Sequence, residues 1–215
     1  MPARKPKTPP AALVLLVRHG RTPTTGTVLP GRAAGLSLSD EGRAQAEAVA
    51  ERLASLGKID AVYASPLERT RQTAAPIAKR TGHRVVVEKG LLECDFGEWT
   101  GGDLKALSKT PEWKVVQRWP SGFRFPGGES FPEMQSRVTS TLVRLARLHP
   151  GGRIVAVSHA DPIKAAVADA LGTHLDLFQR IVISPCSVTA IAYGDTGPTV
   201  LAVNSLGNLA ELRPS

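Results

Sequence analysis

The fold of this chain is decided by the stretch Leu13-Val14-Leu15-Leu16-Val17-Arg18-His19-Gly20-Arg21-Thr22. Its first five residues are all apolar and are enough to form a strand. They do not alternate with polar residues, as they would in a strand with one face exposed to solvent. Such a strand is typical of a parallel α/β sheet, in which helices cover both faces. Because ligands on these sheets bind outside the carboxyl ends of the strands, we expect a functional site at Arg18 and His19. Gly20 would let the backbone turn sharply behind them.

Strands and helices are predicted to alternate along the rest of the chain. Short apolar segments predict further strands, over 59–64, 84–88, 153–158, 188–193 and 199–203. Helices are predicted between them, with Ser39, Ser65 and Asp161 as N-caps and a long helix over 131–149. Glu68 would complete a capping box with Ser65. The sequence therefore predicts an α/β fold: a three-layer α/β/α sandwich with a mostly parallel sheet.

The sequence shows no internal repeat and no linker, and it predicts a single domain over residues 11–205. Residues 1–10 are basic and proline-rich and predict a disordered tail, and residues 206–215 predict a C-terminal tail. The irregular segment 90–128 predicts a helical and loop lid insertion over a site. Its aromatic residues could line that lid or simply hold it down by packing, and these are Trp99, Trp113, Trp119, Phe123 and Phe125.

Composition and charge limit the class of partner. The chain has 27 Lys and Arg against 19 Asp and Glu, a net charge of +8, which suits acidic ligands. The basic residues are dispersed and aromatics are only 5%, so we expect no nucleic-acid partner. No apolar run reaches the length of a membrane span, so we expect no membrane partner. Cys94 and Cys186 lack metal-type or redox-type spacing, which predicts a reduced, cytoplasmic protein.

Two of the predicted strands end in a histidine, His19 and His159. Parallel strands bring such ends to one edge of a sheet, so we expect the two imidazoles to lie close together. Arg18 precedes the first histidine, and Arg69 falls in the first turn of a predicted helix. Guanidinium groups match phosphate oxygens in pairs, and helix N-termini add positive dipole ends. The residues therefore predict a site for a tetrahedral dianion.

Five motifs resemble, in order, those of the histidine phosphatase superfamily, which includes the cofactor-dependent phosphoglycerate mutases. The motifs span most of the chain and comprise Leu16-Val17-Arg18-His19-Gly20-Arg21-Thr22, Ala64-Ser65-Pro66-Leu67-Glu68-Arg69-Thr70, Leu92-Glu93-Cys94-Asp95-Phe96-Gly97-Glu98-Trp99, Pro126-Gly127-Gly128-Glu129-Ser130 and Val157-Ser158-His159. Arg-His-Gly alone is a weak signal, whereas five motifs in the right order are a strong one.

The resemblance implies a role for each of these residues. His19 would be the nucleophile that forms a phosphohistidine, while Arg18, Arg69 and His159 would hold the phosphoryl oxygens. Glu93 would protonate the leaving oxygen and then activate water, with Asp95 and Glu98 as local competitors for this role. Further phosphate or substrate contacts are expected from Thr22, Thr25, Arg32 and Ala160. No metal and no cofactor are expected.

Three departures from the family pattern concern substrate contacts. Thr25 stands where the family often has Asn, and the loop 31–39 is one residue longer and lacks its usual acidic residue. Ala160 replaces the usual Gly after the second histidine. The chain also lacks the long insertion of dedicated mutases, which favours a phosphatase.

The residues and the resemblance together predict a metal-independent phosphomonoesterase of histidine acid phosphatase type, acting on a small phosphorylated metabolite. A mutase-type phosphotransferase and an inactive homologue that binds phosphorylated ligands are the alternatives. A homodimer is left open.

Overall fold

A six-stranded sheet forms the middle layer of the protein. The structure, a computed structural model, describes residues 10–207, so residues 1–9 and 208–215 of the predicted tails lie outside it. The strands are β1 (Ala12–Arg18), β2 (Val28–Leu29), β3 (Ala61–Ala64), β4 (Val85–Val87), β5 (Gly102–Asp103), β6 (Arg153–Ser158), β7 (Val188–Gly194) and β8 (Gly197–Ser205). The α-helices are α1 (Asp40–Ala54), α2 (Glu68–Thr81), α3 (Leu104–Leu107), α4 (Pro111–Arg118), α5 (Phe131–Leu148) and α6 (Ala160–Ala170).

The large sheet has the strand order β4-β3-β6-β1-β7-β8, and β2 pairs separately with β5. Strands β4, β3, β6 and β1 run parallel, whereas β7 is antiparallel to both of its neighbours. Within residues 10–207, β7 is therefore the one strand that reverses direction in the large sheet. This confirms the predicted mostly parallel α/β fold and its closing pair of strands.

Strand β1 lies in the middle of the sheet and is covered on both faces, as its composition predicts. Leu13 and Leu15 pack in one buried cluster with residues of α1 and α2, while Val14 and Leu16 pack in another with residues of α5 and α6. All four are at most 3% exposed. Successive strand residues point to opposite faces, so a continuous apolar run serves two helical layers at once.

The helices predicted within residues 90–128 are present as α3 and α4, and Val116 of α4 packs in the buried cluster on the α5 side of the sheet. Phe125 lies at the centre of an aromatic cluster, with ring centroids 4.9–5.4 Å from those of Phe96, Phe123, Phe131 and Trp99. Trp99 stacks on Trp113, whereas Trp119 is 59% exposed. Most of the aromatic residues in this segment therefore pack against one another.

Two of the predicted helix starts are wrong. Helix α2 begins at Glu68 after Leu67, which makes no side-chain cap, so Ser65 is not its N-cap. Helix α6 has His159 as its N-cap, which places Asp161 inside the first turn. The hydroxyl of Ser65 instead contacts His159, so a tertiary partner has replaced the local one.

The helix starts at α1 and α5 follow the local sequence. Ser39 caps α1 by accepting the Gly42 N–H at 3.1 Å. Ser130 and Glu133 form a reciprocal capping box at α5. In residues 10–207, no helix combines the length and apolarity that a membrane crossing would need.

Candidate active site

The carboxyl ends of β1 and β6 meet at one edge of the sheet. Arg18 is paired with Ser158 in the register, and the His19 N–H donates to the Ser158 carbonyl at 3.0 Å. The next residue on each strand is a histidine, and the ring centroids of His19 and His159 are 5.2 Å apart. The prediction that the two imidazoles lie together is confirmed.

His19 is held in one tautomer by the backbone of the next residue. Its Nδ1 lies 2.8 Å from the Gly20 carbonyl oxygen, which can only accept a hydrogen bond, so Nδ1 carries the proton. Nε2 therefore keeps a free lone pair. Burial, followed by the charge of Arg69, lowers the pKa of His19 to about 3, so the ring is neutral at neutral pH.

His159 is fully buried beside it. Its Nε2 lies 2.9 Å from the Ser65 hydroxyl, while its Nδ1 has no hydrogen-bond partner. Burial, followed by the charge of Arg69, holds the pKa of His159 well below its usual value. A neutral ring that accepts from Ser65 at Nε2 would present an N–H at Nδ1.

Two arginines complete a group of unpaired donors around the histidines. Arg69 is completely buried and donates from Nη2 to the Gly31 carbonyl at 2.7 Å, but its Nε and Nη1 have no partner. Arg18 donates from Nη1 to the Ile183 carbonyl at 2.7 Å, and its Nε is also unpaired. Because buried unpaired donors are costly, a site of this kind favours an anionic ligand that satisfies them.

Glu93 is a buried carboxyl group, only 7% exposed, in the electrostatic field of these arginines. One of its oxygens accepts the Cys94 N–H at 3.0 Å. Burial, followed by the charge of Asp161, raises the pKa of Glu93 to about 7, against the smaller opposing effects of Arg69 and Arg18. Such a carboxyl can hold and release a proton near neutral pH.

The competing carboxylates lie in more polar surroundings than Glu93. Asp95 is 38% exposed and forms an ion pair with Arg32 at 3.3 Å. Glu98 is exposed. Of the three carboxyl groups in this motif, Glu93 is the most deeply buried.

The other residues predicted to contact phosphate or substrate lie in two places, next to the two histidines and around Glu93. Thr22 is buried and hydrogen-bonds Thr25 within the loop after β1, at 3.0 Å between the hydroxyls. Ala160 opens α6 directly after His159. Arg32, by contrast, donates to the Glu93 carbonyl and to Asp95, and its Nη2 forms an ion pair with Glu129 at 2.8 Å.

Three residues of the site were not identified from the sequence. Ser65 has the sequence pattern of a helix cap, and Glu129 directly precedes the capping residue Ser130. Arg137 was not singled out at all, although it donates hydrogen bonds to the backbone around Glu93. Glu129 lies within a quoted motif, which could have identified it; a lone arginine on an amphipathic helix carries no such signal.

In residues 10–207, no three His, Cys, Asp or Glu side chains are grouped as a metal site would require.

The family model described as histidine phosphatase superfamily (branch 1) matches residues 14–206. The chain belongs to the histidine phosphatase superfamily.

Its relatives include proteins named as phosphatases and as mutases. It is 32% identical to phosphoserine phosphatase 1 of Hydrogenobacter thermophilus, over 92% of this chain and 94% of that protein. It is 33% identical to "Probable phosphoglycerate mutase GpmB" of Cronobacter sakazakii, over 84% of each chain. It is 34% identical to a bifunctional protein of Mycobacterium tuberculosis, but spans only 54% of that protein, about half its length.

Solved structures show the same fold. A phosphoserine phosphatase mutant from Entamoeba histolytica, in complex with phosphoserine, matches with a TM-score of 0.81 at 25% identity, over 90% of this chain and 97% of that one. A mycobacterial glucosyl-3-phosphoglycerate phosphatase matches with a TM-score of 0.80 at 24% identity, over 91% and 99%, which shows the fold alone. Together the matches show the family and the fold of this chain.

Proposed function

We propose that this protein is a metal-independent phosphomonoesterase that acts through a phosphohistidine at His19 on a small phosphorylated metabolite. The observation that carries the proposal is a buried, neutral imidazole with a free Nε2 beside unpaired arginine and histidine donors. Neutral imidazole is a competent nucleophile, and phosphoryl transfer depends mainly on positioning and positive charge.

In the first step the donors of Arg18, Arg69 and His159 bind the non-bridging phosphoryl oxygens. The Nε2 lone pair of His19 then forms a bond to phosphorus as the bond from phosphorus to the ester oxygen breaks. Glu93 gives its proton to that departing oxygen, so an alcohol leaves and a carboxylate remains. The positive charge of the arginines stabilises the charge that spreads over the phosphoryl oxygens.

In the second step the Glu93 carboxylate takes a proton from water as the water oxygen attacks phosphorus. The N–P bond breaks, its electron pair returns to Nε2, and inorganic phosphate leaves. Glu93 is then protonated and His19 is neutral, as at the start.

Several finer points remain predictions. Substrate contacts by Thr22, Thr25, Arg32 and Ala160 belong among them, as do the single domain with a lid over 90–128, the cytoplasmic location and a homodimer. The relative named phosphoserine phosphatase, matched over nearly its whole length, supports hydrolysis of a small phosphomonoester. The relative named as a mutase supports phosphotransfer as the second candidate.

The first experiment measures phosphate release from p-nitrophenyl phosphate in the presence of a chelator. We expect wild-type activity to be unaffected by the chelator and His19→Ala to lose about a thousandfold or more. His174→Ala is the matched control, because its ring is exposed and contacts only Asp176 nearby.

Labelling of the protein with a ³²P-phosphoryl donor separates the candidates. Label on His19 with turnover supports the phosphatase, and stable label without hydrolysis supports a mutase. If neither label nor hydrolysis is observed, the proposal is contradicted, and an inactive homologue that binds phosphorylated ligands is favoured.

A further inference from the structure

Glu93 lies in a segment that has no regular secondary structure, over residues 92–96. No helix or sheet ladder therefore fixes its backbone. Its carbonyl oxygen instead accepts two hydrogen bonds from guanidinium groups, from Arg32 Nε at 2.9 Å and from Arg137 Nη2 at 3.2 Å. Two charged donors on one carbonyl make a strong and directional attachment.

Arg137 holds the same segment at two further points. Projecting from α5, it donates from Nη1 to the carbonyls of Gly90 and Leu92, each at 2.9 Å. Three carbonyls within four consecutive residues thus depend on one side chain. The planar guanidinium presents its donors in a fixed arrangement, so it sets the backbone conformation of the segment as well as its distance from α5.

Glu129 joins the two arginines. Its carboxylate accepts from Arg137 Nε and Nη2, each at 2.9 Å, and lies 2.8 Å from Arg32 Nη2. It also accepts the Asp95 N–H at 3.1 Å, two residues after Glu93. Burial opposes its ionisation, but the hydrogen bonds and charge of Arg137 outweigh burial and lower the pKa of Glu129.

The arginines of this cluster differ from those beside the histidines. Arg32 donates from Nε and Nη1 to oxygens of Glu93 and Asp95, and its Nη2 lies 2.8 Å from a carboxylate oxygen of Glu129 as an ion pair without hydrogen-bond geometry. Arg69 and Arg18 also keep buried nitrogens without a hydrogen-bond partner, but within residues 10–207 neither of them forms an ion pair with a carboxylate, as Arg32 does. An arginine without a carboxylate partner suits an anionic ligand, whereas an arginine whose charge is already balanced by protein carboxylates is suited to hold the protein itself.

We propose that Arg32, Glu129 and Arg137 are positioning residues that hold the Glu93 carboxyl at the oxygen leaving the phosphoryl group. The proposal rests on the function proposed above, and it replaces the substrate contact expected of Arg32 with a contact to Glu93. A general acid must lie within hydrogen-bond reach of the atom it protonates. A misplacement of about 1 Å costs roughly a hundredfold in rate.

Two substrates with different leaving groups test this. Glycerol phosphate releases an alkoxide that needs a proton, whereas p-nitrophenolate departs without one. We expect Glu129→Gln and Arg137→Lys to lower kcat/KM for glycerol phosphate by about ten- to a hundredfold. We expect kcat/KM for p-nitrophenyl phosphate to change by less than about threefold. This parameter reports only the steps up to departure of the leaving group, and p-nitrophenolate departs without a proton.

Matched controls exclude a general effect of breaking an ion pair. Arg80 contacts Glu47 at 3.1 Å between α2 and α1, so Glu47→Gln and Arg80→Lys make the same chemical changes elsewhere on the structure. They should leave both kcat/KM values unchanged. Thermal unfolding of each variant confirms that it is folded at the assay temperature.

A Glu93→Gln background shows whether the effect passes through Glu93. There, Glu129→Gln should cause no further loss with glycerol phosphate, because the group that it positions is already gone. Equal losses with both substrates, or an undiminished loss in this background, would overturn the proposal.

Arg32 has a separate outcome. If Arg32→Lys raises KM for both substrates equally and leaves kcat unchanged, Arg32 contacts substrate and its part of the proposal is wrong. The proposed function itself is judged on wild type, by hydrolysis and ³²P labelling. If wild type shows neither, both proposals fail together; if it shows both and the substrates do not separate, only this inference fails.

Discussion

Burial shifts the pKa values of the two central groups in opposite directions. Removal from water disfavours the charged form of each, so the pKa of His19 falls to about 3 and the pKa of Glu93 rises to about 7. Between these values the imidazole is neutral and the carboxyl is protonated. One dry site therefore holds a nucleophile and an acid in their reactive forms at the same pH.

This pairing predicts the pH dependence of the reaction. For an alkyl phosphate, kcat/KM should be highest between pH about 3 and about 7. It should fall about tenfold per pH unit above 7 as Glu93 loses its proton. The measurement is a pH–rate profile of wild type and Glu93→Gln. A descending limb that persists unchanged in the variant would assign it to another group.

The same carboxyl should make stability depend on pH. The folded state binds its proton more tightly than the unfolded chain between pH 4.5 and about 7, so wild type loses stability as pH rises through this window. At pH 8 we expect Glu93→Gln to be more stable than wild type by roughly 1–3 kcal/mol, with the gap closing near pH 4.5. Denaturant unfolding at the two pH values measures this. Glu47→Gln, at an exposed site, is the control for removing a surface carboxylate.

At the scale of the element, the turn after β1 is set by its contact with α1. A Cβ added to Gly42 would overlap the Arg21 carbonyl oxygen, and one added to Gly20 would lie 2.5 Å from the Gly42 carbonyl oxygen. The first turn of α1 therefore lies directly against the backbone that follows His19. Glycine is needed here for the close approach of two backbones.

Gly42→Ala should accordingly damage both stability and the site. We expect a loss of about 1–3 kcal/mol, typical of an overpacked position, together with a lower kcat/KM because the turn at His19 must move. Gly194→Ala is the control, since its Cβ would meet only the Ala11 Cβ at 3.5 Å. Chemical denaturation and steady-state kinetics measure the two effects. Equal behaviour of the two variants would contradict the close-approach argument.

At the scale of the whole molecule, folding assembles unpaired donors at the edge of the sheet. Arg18 and His159 come from the ends of β1 and β6, and Arg69 comes from the second residue of α2. These donors are buried with unsatisfied hydrogen-bonding capacity, in a protein of net charge +8. Part of the stability of the fold should therefore depend on the anion that satisfies them.

Inorganic phosphate should then stabilise the protein. At a concentration of about 100 times its Kd the free energy of unfolding should rise by about 2.7 kcal/mol. For a chain of this size, that corresponds to an increase in Tm of roughly 5–10 °C. Potassium chloride at equal ionic strength is the control, and Arg18→Gln should reduce the phosphate effect. An equal shift with chloride would mean that the stabilisation is not specific.

Local sequence by itself determined the elements and the edge at which the chemistry lies. An apolar run that serves two helical layers must be a central strand, and Arg18-His19-Gly20 at its end marks the functional edge. Caps formed by neighbours in the chain, at Ser39 and at Ser130, could be predicted because both partners lie within a few residues.

Only the tertiary structure decided which side chains meet across the chain. Ser65 has the local pattern of a helix cap but contacts His159, 94 residues away. Arg137 reaches the Glu93 carbonyl across 44 residues, and Arg32 reaches it across 61. Local pattern carries no record of such contacts, because they exist only once the sheet and α5 have packed together. The pKa values of His19 and Glu93 have the same origin, since burial belongs to the fold and not to the residue.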